Sequence, residues 1–304
     1  MSSAPRLCGV LLHPTALPGT PCSGTLGAAS RAWIDRLGIE GVQIWQLLPL
    51  APTDGTGSPY SSPSGSALNP WLLDADDLLS DGWISAADLA RLPGGAEARL
   101  DPQQAGVRAA AMGDALLQHW DQQTPQRRQD FQVWSRQQRS WLQDHARFMV
   151  LRRLQGGQPW WQWPRPLARR ERRAMAELDR LHQRELLAEA LVQWQLQRQW
   201  QALRQRCKER GVRLLGDLPF YVAHDSADVW RRPALFSVGP DGALISQSGV
   251  PPDYFAATGQ LWGTPVYRWA LHRLSCFGWW MRRLQRQLEL VRSEEHTSEL
   301  QSPC

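Results

Sequence analysis

The first fifty residues contain two apolar segments separated by an amphipathic one, and this order constrains the fold more than any other feature. Residues 8–12 read C-G-V-L-L and predict a short buried strand, which His13-Pro14 ends because proline cannot continue a central ladder. A helix follows, because apolar residues recur at helical spacing at Leu26, Ala29, Trp33 and Leu37. Residues 41–50 predict a second strand. Strand, helix and strand over this length predict a βαβ unit, and hence a parallel sheet with a right-handed crossover.

The segment after the second strand, residues 52–70, is rich in glycine, proline and serine and cannot form regular structure. A linker is one interpretation. Its position at the end of a predicted strand, together with the embedded Tyr60, favours an ordered functional loop.

Helical patterns dominate from about residue 72 to residue 210, with breaks at 92–95, at 101–102 and in the polar stretch 121–130. This segment is too long for one crossover, so it predicts an inserted helical subdomain at about 72–200. Its last helix carries an apolar stripe at Val192, Leu196, Trp200, Leu203 and Cys207. Gly211 is placed to end that helix, a third buried strand is predicted at 212–215, and a further helix at 277–291.

Composition excludes several classes of protein. No apolar run approaches the length of a membrane span, and no signal pattern opens the chain, so we expect no membrane association and a cytoplasmic location. The net charge is +5, but the basic clusters alternate with acids, which favours solvated helix faces over a nucleic-acid surface. An RNA-binding protein remains a minor alternative. Five scattered cysteines without C-x-x-C spacing argue against a zinc site and a disulfide framework.

The third strand leads into residues 216–230, which read G-D-L-P-F-Y-V-A-H-D-S-A-D-V-W. Asp217 lies at the predicted carboxyl end of that strand, where α/β proteins build their sites. A second aromatic loop follows at 250–262, and the chain has 17 tryptophans, most of them expected in the core. Because indole faces stack well on sugar rings, the two loops predict a cleft for a polar, neutral, flat-faced ligand such as a sugar chain.

Four stretches in this order resemble the 4-α-glucanotransferases (amylomaltases, or disproportionating enzymes) of glycoside hydrolase family 77. They are L-L-H-P-T-A-L-P-G at 11–19, W-Q-L-L-P-L-A-P-T at 45–53 with S-P-Y at 58–60 and N-P at 69–70, the stretch at 216–230, and G-V-P-P-D-Y-F-A-A-T-G-Q-L-W-G-T-P-V-Y-R-W at 249–269. The resemblance covers residues 7–291.

The resemblance implies an α/β fold, a (β/α)8 TIM barrel with inserted helical subdomains, truncated after about three barrel strands. It implies retaining transfer of α-1,4-glucan segments between maltooligosaccharides, or from starch- or glycogen-derived glucans. It implies no metal, no organic cofactor and no nucleic-acid partner. Such chemistry needs two carboxylates roughly 5 Å apart, one the nucleophile and one the acid/base.

The resemblance also implies roles for single residues. Tyr60 would bracket the sugar ring at the cleavage site with Ser58 beside it, and Asp217 would hydrogen-bond the hydroxyls of that ring. Gln260 and Trp262 would line the neighbouring donor position. The loop over the glucan would contain Asp253, Tyr254 and Phe255, with Phe255 on the acceptor side.

Other interpretations of these and nearby residues remain open. Asp217 is alternatively a helix cap, and Tyr254 and Phe255 are alternatively core residues. Asp225 and Asp228 are expected to cap a helix that begins at Ser226. His13 and His224 are less favoured as acid/base groups, since a glucan-processing site works with carboxylates.

The sequence departs from the family at two places. Residues 54–56 read D-G-T where many members carry a tyrosine, which puts an accessory glucan site in doubt. The family's nucleophile lies in an R-x-D-H-F motif after the helix that ends here near Val291, and the acid/base glutamate comes later. We therefore expect no catalytic residue in this chain, and residues 292–304 resemble translated adapter sequence rather than protein.

These observations divide the chain into an N-terminal barrel portion at 1–291, with active-site loops at about 217–265, and a non-native tail at 292–304. The portion is expected to be inactive alone; a non-catalytic α-glucan-binding fragment is the alternative. Open strand edges also predict low stability.

Overall fold

The computed structural model describes residues 7–18, 21–94, 99–252, 254 and 257–291. Within these ranges the strands are β1 (Gly9–Leu11), β2 (Ile44–Gln46), β3 (Arg213–Leu215), β4 (Gln247–Val250) and β5 (Gln260–Pro265). The helices are α1 (Ala28–Ile39), α2 (Ala75–Ser80), α3 (Ala86–Arg91), α4 (Pro102–Gln118), α5 (Pro125–Gln137), α6 (Leu142–Leu154), α7 (Arg165–Ala168), α8 (Arg172–Leu181), α9 (Gln183–Glu209), α10 (Ala227–Arg231), α11 (Trp269–Leu274) and α12 (Gly278–Val291). The tail predicted to be non-native, 292–304, lies outside the described residues.

The strands β1, β2 and β3 form one parallel sheet in chain order, with β2 in the centre. Ile44 pairs with Gly9 on one side and with Arg213 on the other. The α1 crossover and the long helical segment connect the strands, so the predicted α/β class with parallel strands and inserted helices is confirmed. This is the arrangement with which a (β/α)8 barrel begins.

The two faces of this sheet differ in burial. Val10, Trp45 and Leu214 contact the hydrophobic core formed with the helices. On the opposite face Leu11 and Leu215 are 51% and 50% exposed. The prediction that residues 8–12 and 212–215 form buried strands is therefore wrong for this face, because successive side chains alternate and the helices cover only one side.

Helix α9 holds the helical segment to the sheet. Its predicted apolar stripe is buried at all five positions, and Gly211, with φ of +68°, follows its end as predicted. Two buried glutamines of α9 also fix the loop before the segment. The Gln193 side chain exchanges hydrogen bonds of 2.8 Å with both backbone groups of Leu68, and Gln199 does the same at 2.9 Å with Asp74. The stretch 52–70 is thus an ordered loop and not a linker.

Two segments differ from the sequence predictions. The break expected over 121–130 ends at Thr124, because the Thr124 side chain accepts from the Arg127 N–H and Pro125 occupies the first turn of α5. The stretch 250–262, predicted as a loop, contributes to an antiparallel hairpin of β4 and β5. Among the described residues, no helix has both the length and the apolar character needed to cross a bilayer.

Candidate functional site

The loops that follow β2 and β3 meet at a hydrogen bond between Tyr60 and Asp217. The Tyr60 hydroxyl donates to Asp217 Oδ2 at 2.6 Å across 157 residues of sequence. This bond, aided by partial burial and the negative charge, raises the pKa of Tyr60 to about 12. Tyr60 is still 45% exposed, so its ring faces solvent while its hydroxyl is held. Asp217 does not cap a helix in the structure, which removes that alternative.

Ser58 and Tyr60 are placed by a turn built on Asp54. Asp54 Oδ1 accepts from the Thr56 N–H at 2.8 Å and from the Ser58 N–H at 3.1 Å. Gly57 has φ of +85°, a conformation that glycine adopts without strain. A short 3₁₀ turn at Pro59–Ser61 then directs Tyr60 toward Asp217. Residues 54–56, which depart from the family pattern, therefore have a structural role in this loop.

Gln260 and Trp262 lie on β5 and are joined through the tryptophan N–H, which donates to Gln260 Oε1 at 3.1 Å. Trp262 is 47% exposed and meets the ring of Tyr221 at a centroid distance of 6.2 Å. Tyr221 and Tyr60 line the same small cavity. The structure therefore brings the β5 pair to the same wall as Tyr60 and Asp217.

Behind this wall lie further aromatic residues that were not predicted from the sequence as site residues. Tyr267 stacks parallel to Tyr221 at 6.0 Å, and its hydroxyl donates to the carbonyl of Phe220 at 2.5 Å. Burial raises the pKa of Tyr267. Trp269 and Trp280 extend the cluster and stack on each other at 6.1 Å. All of these aromatic residues except Trp280 lie in the two stretches 216–230 and 249–269, and that clustering is the signal by which the sequence could have indicated them.

Most tryptophans are core residues, as predicted. Nine are buried: Trp45, Trp83, Trp141, Trp160, Trp163, Trp194, Trp200, Trp230 and Trp279. The two that are about half exposed, Trp262 and Trp269, both belong to the aromatic wall.

Neither histidine near a strand end is arranged for acid/base work. Burial lowers the pKa of His13 to about 4, and its Nδ1 contacts the Thr15 hydroxyl at 2.7 Å in the turn it caps. His224 is buried, its ring stacks on Trp161 at 3.8 Å, and its Nε2 donates to the Gly242 carbonyl at 2.8 Å. Burial lowers the pKa of His224 as well. Both imidazoles thus make structural contacts within the described part of the chain.

The prediction that Asp225 and Asp228 cap a helix is wrong. The helix α10 begins at Ala227, and the Ser226 hydroxyl accepts from the Val229 N–H at 3.3 Å. Asp225 instead pairs with Arg152 at 3.2 Å, although burial raises its pKa. Asp228 accepts from the Gly65 N–H at 2.9 Å. Both acids therefore fix the loop 216–230 against neighbouring segments.

The loop predicted to cover the glucan is described only in part. Asp253 and Phe255 lie outside the described residues. Tyr254 is 96% exposed, so the alternative that it is a core residue is wrong.

Comparison with known proteins identifies the family. A family model described as 4-alpha-glucanotransferase matches residues 12–293. The chain belongs to glycoside hydrolase family 77. It is 40% identical over 290 residues to the 4-alpha-glucanotransferase of Thermus thermophilus and 38% identical over 288 residues to that of Synechocystis.

The match extends to structure and also shows how much of a family 77 protein the chain represents. The chain aligns with a TM-score of 0.89 and 31% identity to the amylomaltase of Streptococcus agalactiae in complex with acarbose. The alignment covers 94% of this chain and 58% of the amylomaltase chain. The alignments to the Thermus and Synechocystis relatives cover 94% of this chain and 57% of each relative. The chain thus spans little more than half the length of these family 77 proteins.

Proposed function

We propose that the protein containing these residues is a 4-α-glucanotransferase that transfers α-1,4-glucan segments between maltooligosaccharides by retaining double displacement. The observation that carries this is the Tyr60–Asp217 hydrogen bond beside the exposed face of Trp262. A carboxylate that shares a wall with exposed aromatic side chains suits a neutral sugar, because the rings contact its C–H faces and the carboxylate accepts from its hydroxyls. The acarbose bound by the Streptococcus agalactiae amylomaltase is consistent with such a ligand.

In this proposal the described residues bind and orient the donor. Tyr60 brackets the ring at the cleavage site, with Ser58 beside it. Because Tyr60 occupies Asp217 Oδ2, Oδ1 accepts from the ring's hydroxyls. Gln260 and Trp262 line the next donor position. Holding the ring in this way supplies the orientation that a covalent displacement requires.

The remaining roles are proposed from the same resemblance. Asp253 and Phe255 cover the glucan, with Phe255 on the acceptor side, and such covering favours transfer over hydrolysis because it excludes water. The nucleophilic aspartate and the acid/base glutamate lie outside these 304 residues. We further propose a cytoplasmic location, no metal or organic cofactor, and the division into a barrel portion, a helical insertion at about 72–200 and site loops at about 217–265.

One experiment tests this function directly. The coding sequence downstream of Val291 is determined, and the extended protein is incubated with maltotriose. We expect the downstream sequence to contain an R-x-D-H-F motif. We expect the extended protein to release glucose and form longer oligomers, and the 304-residue chain to form neither product. A natural coding sequence that lacks the motif, or disproportionation by the 304-residue chain, would overturn the proposal.

A further inference from the structure

The helix α12 buries two arginines on its packed face. Its four buried residues recur at helical spacing and are Trp279, Arg283, Arg286 and Leu290. Its apolar residues Met281, Leu284 and Leu288 are instead exposed. Arg283 and Arg286 are only 5% and 4% exposed, a state that arginine seldom adopts without an anionic partner.

The contacts of these arginines leave three nitrogen atoms unused. Arg283 donates from Nη2 to the Pro219 carbonyl at 2.7 Å, while its Nε and Nη1 are buried without a hydrogen-bond partner among the described residues. Arg286 donates from Nε to the Ser66 carbonyl and from Nη1 to Gln197 Oε1, each at 3.0 Å. Its Nη2 has no hydrogen-bond partner within the same part of the chain. Each guanidinium also lies over an indole ring, Arg283 over Trp279 at 5.4 Å and Arg286 over Trp141 at 4.7 Å, which stabilises its charge without accepting a hydrogen bond from these nitrogens. A buried charged donor left unpaired costs free energy, so these atoms favour an additional acceptor.

Both arginines line a cavity of about 290 Å³ between α12, the end of α5 and the start of α10, and Arg283 also lines the small cavity of Tyr60 and Tyr221. Arg231 and Arg282 also line the larger cavity, with Ser64 and Ser66. Burial lowers the pKa of Arg286 to about 10, so at neutral pH its guanidinium remains charged.

The acids that line the cavity have partners of their own. Asp144 pairs with Arg170 and, at 2.8 Å, with Arg231. Asp228 accepts from the Gly65 N–H, and Glu289 lies 3.5 Å from Arg286. None of the described acids forms an ion pair with Arg283, so its positive charge is not neutralised by the cavity's own carboxylates.

We propose that this cavity is a site for a small oxyanion, a phosphate group, held by the unpartnered nitrogens of Arg283 and Arg286. A tetrahedral oxyanion presents several acceptors at once, which suits donors that come from two separate guanidinium groups. The volume of the cavity also leaves room beside a phosphate for a hydroxylated body that contacts Ser64 and Ser66. The ligand is therefore inorganic phosphate or a sugar phosphate. This inference does not rest on the proposed glucan transfer.

Isothermal titration calorimetry of the 304-residue chain at 10 °C tests the proposal, with inorganic phosphate and glucose 6-phosphate as probes and chloride at equal ionic strength as the reference. We expect a 1:1 site with a Kd of about 1 mM or tighter for at least one probe. A tighter Kd for glucose 6-phosphate identifies the sugar phosphate as the source, and equal values identify the phosphate group alone. Arg283→Met is expected to weaken binding at least about tenfold, since it removes charged hydrogen bonds.

Two further variants keep the result interpretable. Ser66→Asp places a carboxylate at the cavity and is expected to abolish phosphate binding while the circular dichroism spectrum is retained, which covers the case in which Arg283→Met does not fold. Arg180→Met removes a charge from an exposed position of α8 and is expected to leave the Kd unchanged. No saturable heat with either probe, or the same Kd in folded Ser66→Asp and in the wild type, would overturn the proposal.

Discussion

The hydrogen bond between Tyr60 and Asp217 makes a measurable prediction about the ionisation of Tyr60. Asp217→Asn removes the negative charge but leaves an amide of the same shape that still accepts from the hydroxyl. We expect the pKa of Tyr60, about 12 in the wild type, to fall toward the ordinary value of 10.0, because the charge-assisted hydrogen bond is its main cause.

The size of the effect follows from the same numbers. A pKa change from 10.0 to about 12 corresponds to about 2.7 kcal/mol if it is counted in full. Tyr60 is 45% exposed, so solvent screening reduces the contribution to the free energy of unfolding to about 1 kcal/mol. The pKa is raised in the folded state, so this stability is fully present below pH 10 and is lost as the pH rises through about 12.

The assay is a ¹³C NMR titration of labelled tyrosine Cζ between pH 8 and pH 11.5, with Tyr60→Phe to assign the resonance. Chemical unfolding at pH 8 measures the accompanying free energy. Asp121→Asn removes the same charge from an exposed position of the helical segment and should change neither quantity. A wild-type Tyr60 that titrates near pH 10, or a Tyr60 pKa that Asp217→Asn leaves unchanged, would contradict this effect of the Tyr60–Asp217 hydrogen bond.

Three other predictions concern packing. Gly24→Ala is expected to reduce the free energy of unfolding by about 1–3 kcal/mol in urea titrations, because its Cβ would come 2.1 Å from the carbonyl oxygen of Pro14 and 2.6 Å from that of Leu17; a change below about 0.5 kcal/mol would contradict this close backbone contact. Burial raises the pKa of Cys207 to about 12, so Cys207 should react with a thiol-specific disulfide reagent at pH 8 much more slowly than exposed Cys8. Equal rates would show that α9 is not packed as described. The 304-residue chain should melt with low stability in calorimetry, since one sheet face exposes Leu11 and Leu215, and a sharp cooperative transition at ordinary mesophilic temperatures would contradict this.

The sequence predicted the parts of the fold that depend on strong periodicity. The apolar stripe of α9 repeats over four turns and Gly211 marks its end, so both could be placed. The contact between Tyr60 and Asp217 could also be predicted from the sequence, because β2 and β3 are neighbours and the loops after parallel strands share one edge of a sheet.

Other features depend on tertiary contacts that no local pattern contains. The strand β4 reads Q-S-G-V and has no alternation, so its pairing with β5 could not be predicted from the sequence. The face of α12 that is buried could not be predicted from the sequence for a different reason. Periodicity would bury Met281, Leu284 and Leu288, whereas the structure exposes them and buries Arg283 and Arg286. Trp279 and Leu290 pack on the same buried face, and the arginines there donate to the carbonyls of Pro219 and Ser66, which lie far away in sequence.

Saturation-transfer NMR with acarbose on the 304-residue chain is the decisive experiment on whether these loops form a sugar-binding wall. We expect transfer to acarbose in the wild type and in Asp121→Asn, a loss of at least about tenfold in affinity for Asp217→Asn, and a reduced signal for Trp262→Ala. Transfer that is equally strong in Asp217→Asn and Trp262→Ala, or no transfer to the folded wild-type chain, would contradict this expectation.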